Sequence, residues 1–353
     1  MNALQAPAMT AIDVHRFQDD SKTRWNDYVL QHPEGTLFHL TAWKRVIERA
    51  FGFQSIYLFA EENGKICGVL PMFLVSNWIQ GRSLISTPFA VYGGICASTP
   101  EASVALQNAA RKIAEDERVD YLELRESHRP LGDRFLTKNL YVTFEQLLTA
   151  DPEKLMNGFP KTIRYMIRKG QKNGLHTTTS NDHLDIFYEL YAYSVRNLGT
   201  PVFSKRLFQI LLDEFGDAAK VTIIWHESKA VAGTMSFWFR DEVTPYYAAS
   251  LKEGRQLAAN NFMFWDLMRA ACEQGLRKFD FGRTKLGTGG YFFKNQWNMT
   301  ERSLPYQFYL VKRKSLPNFS PVNPRFKVAT EVWKRIPFPL TKVLGPSLVR
   351  LFP

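Results

Sequence analysis

The stretch FDFGRTKLGTGGYFFKNQWN (279–298) gathers the side chains best suited to chemistry. Asp280 and Arg283 stand at the end of a strand-like run, KFDFGRT (278–284), where sites in α/β proteins tend to lie. One reading has Asp280 orienting Arg283, whose guanidinium binds a phosphate or carboxylate. The other is a structural ion pair at a strand end. Lys294 follows in YFFKNQW. An ammonium in a partly dry cleft suits a developing oxyanion, although lone lysines are usually surface residues. Lys285 and Tyr291 share the segment, and Tyr247 precedes it. Both tyrosines are candidates to line a cleft, while aromatics at strand spacing more often fill a core.

Donors of this kind suit a step that develops charge on an oxygen, which depends mainly on positioning and on groups aimed at that oxygen. No strong nucleophile is needed, and none is legible: there is no G-x-S-x-G elbow and no cysteine with an obvious histidine partner. Asp280-Phe281-Gly282 spells the kinase triplet without its companion motifs. The glycines of 282–290 lack phosphate-loop spacing and read as a mobile substrate loop. Cys67, Cys96 and Cys272 lie far apart, which suits a reducing compartment and buried packing. The seven histidines are scattered, so no metal site is expected.

The elements that must position these residues occur twice. SIYLFA (55–60), a polar turn and ICGVLPMFLVS (66–76) match VTIIWH (221–226), a turn and AVAGTMSFWFR (230–240), with Gly68 and Gly233 at corresponding places. SLISTPF (83–89) then matches VTPYYAAS (243–250). A helix follows in each half. Thr99-Pro100 opens the first, which carries Leu106, Ala110 and Ile113 on one face; the second, from 261 to 275, aligns Phe262, Trp265, Met268 and Cys272. DYLELRE (120–126) and KFDFGRT close the two halves. The shared order points to duplication rather than to chance likeness of two α/β halves.

Between the repeats, Asp151-Pro152 opens a short helix that Pro160 ends, and 161–173 reads as a second helix closed by Gly174. Ile163, Met166 and Ile167 form its apolar stripe. Lys161, Arg164, Arg168, Lys169 and Lys172 cover the rest, with no acid to balance them, either as a phosphate grip or as a solvated face. Beyond residue 311 come nine basic residues and one acid, Glu331, a net +8 of the chain's +11. The nearly neutral body argues against an extensive nucleic-acid footprint, and DNA binding is not expected. In the tail, Lys334, Arg335, Lys342 and Arg350 accompany Trp333, Ile336, Phe338, Leu344, Leu348 and Phe352. That mixture suits either an anionic membrane surface or packing on the first lobe. With no signal peptide or spanning segment legible, the expected location is the cytoplasm, with peripheral contact at the inner face of the membrane.

Three motifs resemble the FemAB-like family: the basic stretch KTIRYMIRKGQKNGL (161–175), the strand-loop segment 279–298, and FHLTAWKRVI (38–47). The likeness spans roughly residues 12–311 and is greatest to members associated with exosortase/PEP-CTERM systems and exopolysaccharide gene clusters, whose proline-rich tail is also similar. Two departures are Gly170, where alanine is commoner, and Asn298, where glycine follows the tryptophan. The resemblance implies an α/β fold of two tandem GNAT-like (acyl-CoA N-acyltransferase) lobes, with mixed sheets flanked by helices. The lobes are expected at 1–150 and 151–311, with the basic tail from 312 to 353. It implies an amide-forming acyl or aminoacyl transferase, with acyl-CoA or aminoacyl-tRNA as donor and a nucleotide- or lipid-linked amino sugar of the cell envelope or an exopolysaccharide as acceptor. Lys294, with Asp280 and Arg283, takes the catalytic role; Arg164 contacts phosphate, and Tyr247, Asn260, Lys285 and Tyr291 complete the substrate set. In KEGRQLAANN (252–261) the glycine-rich turn that cradles coenzyme A pyrophosphate is degenerate, which weakens the case for acetyl-CoA. The alternative is a catalytically silent accessory or scaffold protein of a polysaccharide or protein-sorting system.

Overall fold

The structure, a computed structural model, describes residues 12–126, 130–317 and 324–353, with backbone only for 324–328. Two compact units emerge. The first comprises residues 1–48, 52–138 and 306–316, and the second 49–51, 139–305 and 317–353. This division departs from cuts at 150 and 311: the second unit begins earlier, the first recruits 306–316, and the tail joins the second.

In the first unit β1 (Asp13–Arg16) leads into α1 (Lys22–Gln31) and α2 (Thr41–Phe51). Strands β2 (Gln54–Ser55), β3 (Leu58–Glu62), β4 (Lys65–Leu70), β5 (Phe73–Asn77) and β6 (Gly81–Ile85) follow. The run 66–76, read as one strand, breaks at Pro71 because proline has no N–H for the ladder. β3 and β4 remain with β1 and β7 (Cys96–Ala97), whereas β5 pairs with β2 and β6 in a separate sheet. Helix α3 (Pro100–Asp116), capped by Thr99, then crosses to β8 (Tyr121–Arg125), parallel to β6. Leu106, Ala110 and Ala114 of α3 pack into a core with Leu58, Leu70 and Leu122. Residues 306–310 complete this side, antiparallel to β8.

Strand β9 (Leu136–Leu147) carries the chain into the second unit. Asp151 caps α4 (Pro152–Gly158), and α5 (Lys161–Lys172) buries Ile163, Ile167 and Gly170. Next come β10 (Leu175–Thr179), α6 (Leu184–Leu198), α7 (Lys205–Phe215), β11 (Ala219–His226), β12 (Lys229–Phe239) and β13 (Glu242–Ser250). The short α8 (Lys252–Gln256) precedes α9 (Ala259–Glu273), β14 (Lys278–Asp280) and β15 (Thr284–Lys285). Helix α10 (Gly289–Asn295), β16 (Thr300–Leu310), α11 (Pro324–Arg335) and α12 (Phe338–Val349) follow. The sheet order is β10-β11-β12-β13-β14-β9, and β15 also pairs with β9. Ile163 and Ile167 of α5 and Phe262, Trp265 and Met268 of α9 bury against Ile224, Val243 and Phe279 on one face. Helices α6 and α7 bring Tyr191 and Phe208 to Tyr247 on the other.

The internal repeat is visible in both units, as a meander, a helix and then a strand parallel to the last of the meander: β6-α3-β8 and β13-α9-β14. The matched glycines nevertheless serve different helices. A Cβ on Gly68 would lie 2.9 Å from Leu106 of α3, whereas one on Gly233 would lie 3.4 Å from Leu190 of α6.

The tail, expected on the first lobe or on a membrane, is held on α6 of the second unit. Trp333 is 5% exposed and donates its indole N–H to Thr200 O at 2.9 Å. Lys342 bonds Glu189 at 2.7 Å, and Gly345 lies so close to Val202 that a Cβ would meet its oxygen at 2.6 Å. Among the described residues no helix is long and apolar enough to cross a membrane.

Candidate active site in the second unit

In the second unit β13 and β14 are parallel partners at only two positions, Glu242 with Lys278 and Val243 with Phe279. Beyond them β13 continues to Ser250 along β12, while β14 ends at Asp280. A gap therefore opens past the paired ends, with the connecting helix α9 beside it, the kind of position where α/β sheets take ligands. The first unit has the same divergence after Ser83–Ile85, but its own chain occupies it. Residues 86–94 are buried there. Arg125 holds them, donating to Thr87 O at 3.2 Å and Ala90 O at 3.0 Å while its Nε bonds Glu123 at 2.9 Å.

Strand β14 stops where its own side chain competes with the ladder. Asp280 Oδ1 accepts the Gly282 N–H at 2.7 Å, and Gly282 takes a φ of +68°, where a side chain would be strained. The Thr143 hydroxyl donates to the same oxygen. Lys294 then clamps the turn. Its ammonium donates to Phe281 O at 2.8 Å, Gly282 O at 3.3 Å and Thr284 Oγ1 at 2.7 Å, matching its three N–H donors. Burial lowers its pKa to about 8, against the opposing charge of Asp280. Lys294 stands on α10 rather than after a strand, and the segment before it is ordered by β15 and by Thr288, whose hydroxyl accepts the Tyr291 N–H at 3.3 Å.

Alternation along β14 sends Phe279 and Phe281 into the core beneath α9 and Lys278 and Asp280 to the opposite face. On that face lies a network that sequence reading missed. Lys278 bonds Glu242 at 2.5 Å, Thr244 donates to Glu242 at 3.0 Å, and Arg302 bonds Glu145 at 2.5 Å. Burial, then the charge of Asp280, lifts Glu242 to about 7. The partners come from β9, β13, β14 and β16, so no local motif announces them. The available signal was polar residues alternating with apolar ones, Thr143 and Glu145 around Phe144 and Glu242 and Thr244 around Val243.

The other expected residues are spread around this turn and beyond it. Arg283 is exposed, with its guanidinium 4.9 Å from the Tyr141 ring centre. Tyr247 belongs to an aromatic core with Tyr191, Phe208 and Tyr246, where burial raises its pKa well above the usual tyrosine value. Lys285 is half-buried, with a pKa lowered by burial. Tyr291 bonds Glu301 at 3.0 Å and packs on Phe144. Asn260 lies in the first turn of α9, half-buried. Arg164, on α5, has a buried Nε without a hydrogen-bond partner. Residues 252–256 form α8, Ala258 caps α9 in a left-handed conformation, and the amides of Arg255, Leu257 and Ala258 donate within the chain.

One cysteine does meet a histidine, contrary to the sequence reading. In the first unit His32 Nδ1 lies 3.1 Å from Cys96 Sγ. Cys96 is fully buried, and the same nitrogen accepts the Glu34 N–H at 3.1 Å. The pair is a packed contact rather than a nucleophile open to substrate.

The crossover at β13-α9-β14 and the sequence around it match a known domain. Residues 158–295 match the family model described as an acetyltransferase (GNAT) domain. No curated protein is significantly similar to the chain in sequence. Among solved structures, FemX superposes with a TM-score of 0.66 at 15% identity, covering 85% of this chain and 98% of FemX. The C-terminal domain of a putative lysylphosphatidylglycerol synthetase from Agrobacterium fabrum gives 0.57 at 14%, covering 84% and 92%. A tandem GNAT protein from the clavulanic acid biosynthesis pathway gives 0.51 at 12%, covering 86% and 100%. At these identities the likeness establishes the fold alone, that of tandem GNAT proteins.

Proposed function

We propose that the second unit transfers an acyl or aminoacyl group to an amine, forming an amide on a cell-envelope or exopolysaccharide precursor. The observation that carries this reading is the divergence of β13 and β14 beside a clamped Asp280–Thr284 turn, within a GNAT acetyltransferase domain. The amine nitrogen attacks the donor carbonyl, a C–N bond forms and the carbonyl oxygen takes the electron pair. Collapse expels the thiolate of coenzyme A or the ribose oxygen of a tRNA, and the amine proton passes to that leaving group or to water.

In this scheme Lys294 exchanges one of its three acceptors for the oxyanion. Asp280 is a positioning residue, because it fixes the Gly282 amide rather than the reacting atoms. Arg164, whose buried Nε lacks a partner, and the exposed Arg283 supply contacts for an anionic donor or acceptor. Asn260, Lys285 and Tyr291 complete the set, while Tyr247 supports it from the core. The degenerate turn at 252–261 favours an aminoacyl-tRNA donor over acyl-CoA. A nucleotide- or lipid-linked amino sugar, in the cytoplasm and in an exosortase/PEP-CTERM or exopolysaccharide setting, is the acceptor we favour, on the motif and tail resemblance.

The test combines acyl-CoAs or aminoacyl-tRNA with amino-sugar nucleotides and follows amide formation by mass spectrometry. A donor-dependent product that falls about a hundredfold or more in Lys294→Ala, with folding retained, is expected. Undiminished turnover by that variant removes Lys294 from the chemistry. The full engagement of the Lys294 donors favours a second reading, a silent accessory protein. No product from any donor, with no thermal shift on binding, establishes it.

A further inference from the structure

Helix α12 faces the wrong way for an ordinary surface helix. Its inward, buried stripe is Thr341, Gly345 and Val349, of which Gly345 lies close against Val202. Its outward stripe is apolar: Leu340, Val343 and Leu344 are 51, 72 and 47% exposed. On α11 the larger anchor, Trp333, is buried, while Val332 is 57% exposed. The tryptophan that sequence reading offers as a membrane anchor is therefore the residue that fastens the tail to α6.

The flanking charge is one-sided. From 331 to 353 the chain carries Lys334, Arg335, Lys342 and Arg350 against Glu331 alone, and α12 has no acid. Glu331 is paired with Lys334 at 2.8 Å. Glu189, the acid that α6 presents to α12, is paired with Lys342. Apolar side chains on a convex helix, flanked by cations, match an interface whose outer layer is anionic and whose inner layer is hydrocarbon.

We propose that the exposed face of α12, Leu340, Val343 and Leu344 with Val332 of α11, docks the second unit onto the surface of an anionic bilayer. The helix lies in the plane of the interface, its three apolar residues entering the acyl boundary, with Arg335 at the headgroups and Arg350, which also donates to Phe51 O at 2.6 Å, beside it. The docking does not depend on the transferase reading, so either can fail alone.

Flotation of the full chain with phosphatidylcholine vesicles, with and without about one-third phosphatidylglycerol, tests it. Binding to the anionic vesicles is expected, weakened in high salt. The triple variant Leu340→Ser, Val343→Ser, Leu344→Ser should lower the partition coefficient about tenfold or more, since each residue gives up apolar burial. Its melting temperature should stay near that of the parent, because none of the three is buried. Val343→Cys carrying a polarity-sensitive dye supplies a readout free of any folding defect, the native cysteines being buried. A blue shift on adding anionic vesicles is expected. Failure of the parent to float, equal flotation of the triple variant, an unshifted dye, or a dimer that the triple variant dissolves would each overturn the proposal.

Discussion

Replacing Glu242 with glutamine removes a carboxyl whose ionisation the folded second unit disfavours. Burial and the Asp280 carboxylate raise Glu242 from an ordinary 4.5 to about 7. Such a shift corresponds to roughly 3.4 kcal/mol at 1.36 kcal/mol per pH unit. The side chain keeps 24% of its surface in solvent, so about 2 to 3 kcal/mol is the working figure. Below pH 4.5 Glu242 is protonated in both the folded and unfolded chain and contributes no difference. Between pH 4.5 and 7 the unfolded chain releases the proton while the folded chain retains it, so stability falls as pH rises; above pH 7 that loss is complete. Glutamine keeps an acceptor for Thr244 and Lys278 but does not titrate. Urea unfolding from pH 4.5 to 8 should therefore show the variant gaining about 2 to 3 kcal/mol on the parent across that range. A flat difference, or a gain by the parent, would show that Lys278 stabilises the ionised carboxylate more than burial and Asp280 penalise it.

Gly170→Ala sets helix propensity against packing. Alanine gains about 1 kcal/mol in a helix interior, but its Cβ would lie 2.8 Å from Phe262 Cβ, one bond from the α9 backbone and unable to turn aside. Overpacking of about 1 to 3 kcal/mol should win, leaving a net loss near 1 kcal/mol in urea unfolding; a stabilised variant would mean that α5 and α9 separate freely. Arg125→Gln strips the first unit of its bonds to Glu123, Thr87 and Ala90. It leaves a buried carboxylate unpaired, and a loss of about 3 to 5 kcal/mol is expected. A loss below about 1 kcal/mol would show that residues 86–94 are not held by that side chain.

Much of the architecture was legible because local rules dictate it. The hairpins, the helix opened by Thr99-Pro100 and the basic helix between Pro160 and Gly174 follow from turn residues, caps and periodicity. The repeated order of a meander, a helix and a further strand is present in both halves, and the structure adds that the further strand runs parallel to the last of the meander. Asp280, Arg283 and Lys294 stood out because they lie within fifteen residues of one another in the sequence.

Tertiary structure alone decided the rest, since each remaining feature depends on residues far apart in sequence. It settled that Lys294 spends its three donors on a turn twelve residues earlier, and that Glu242, 38 residues before Asp280, shares its electrostatic field. It also settled that Arg125 closes in the first unit the gap that stays open in the second. The tail shows the division most plainly. Its composition announced basic and apolar residues together, but periodicity could not tell which apolar stripe would be buried. That choice goes with Gly345, which lies against Val202 where a Cβ would not fit, and with the burial of Thr341 and Val349 on the same stripe, which leaves Leu340, Val343 and Leu344 outward.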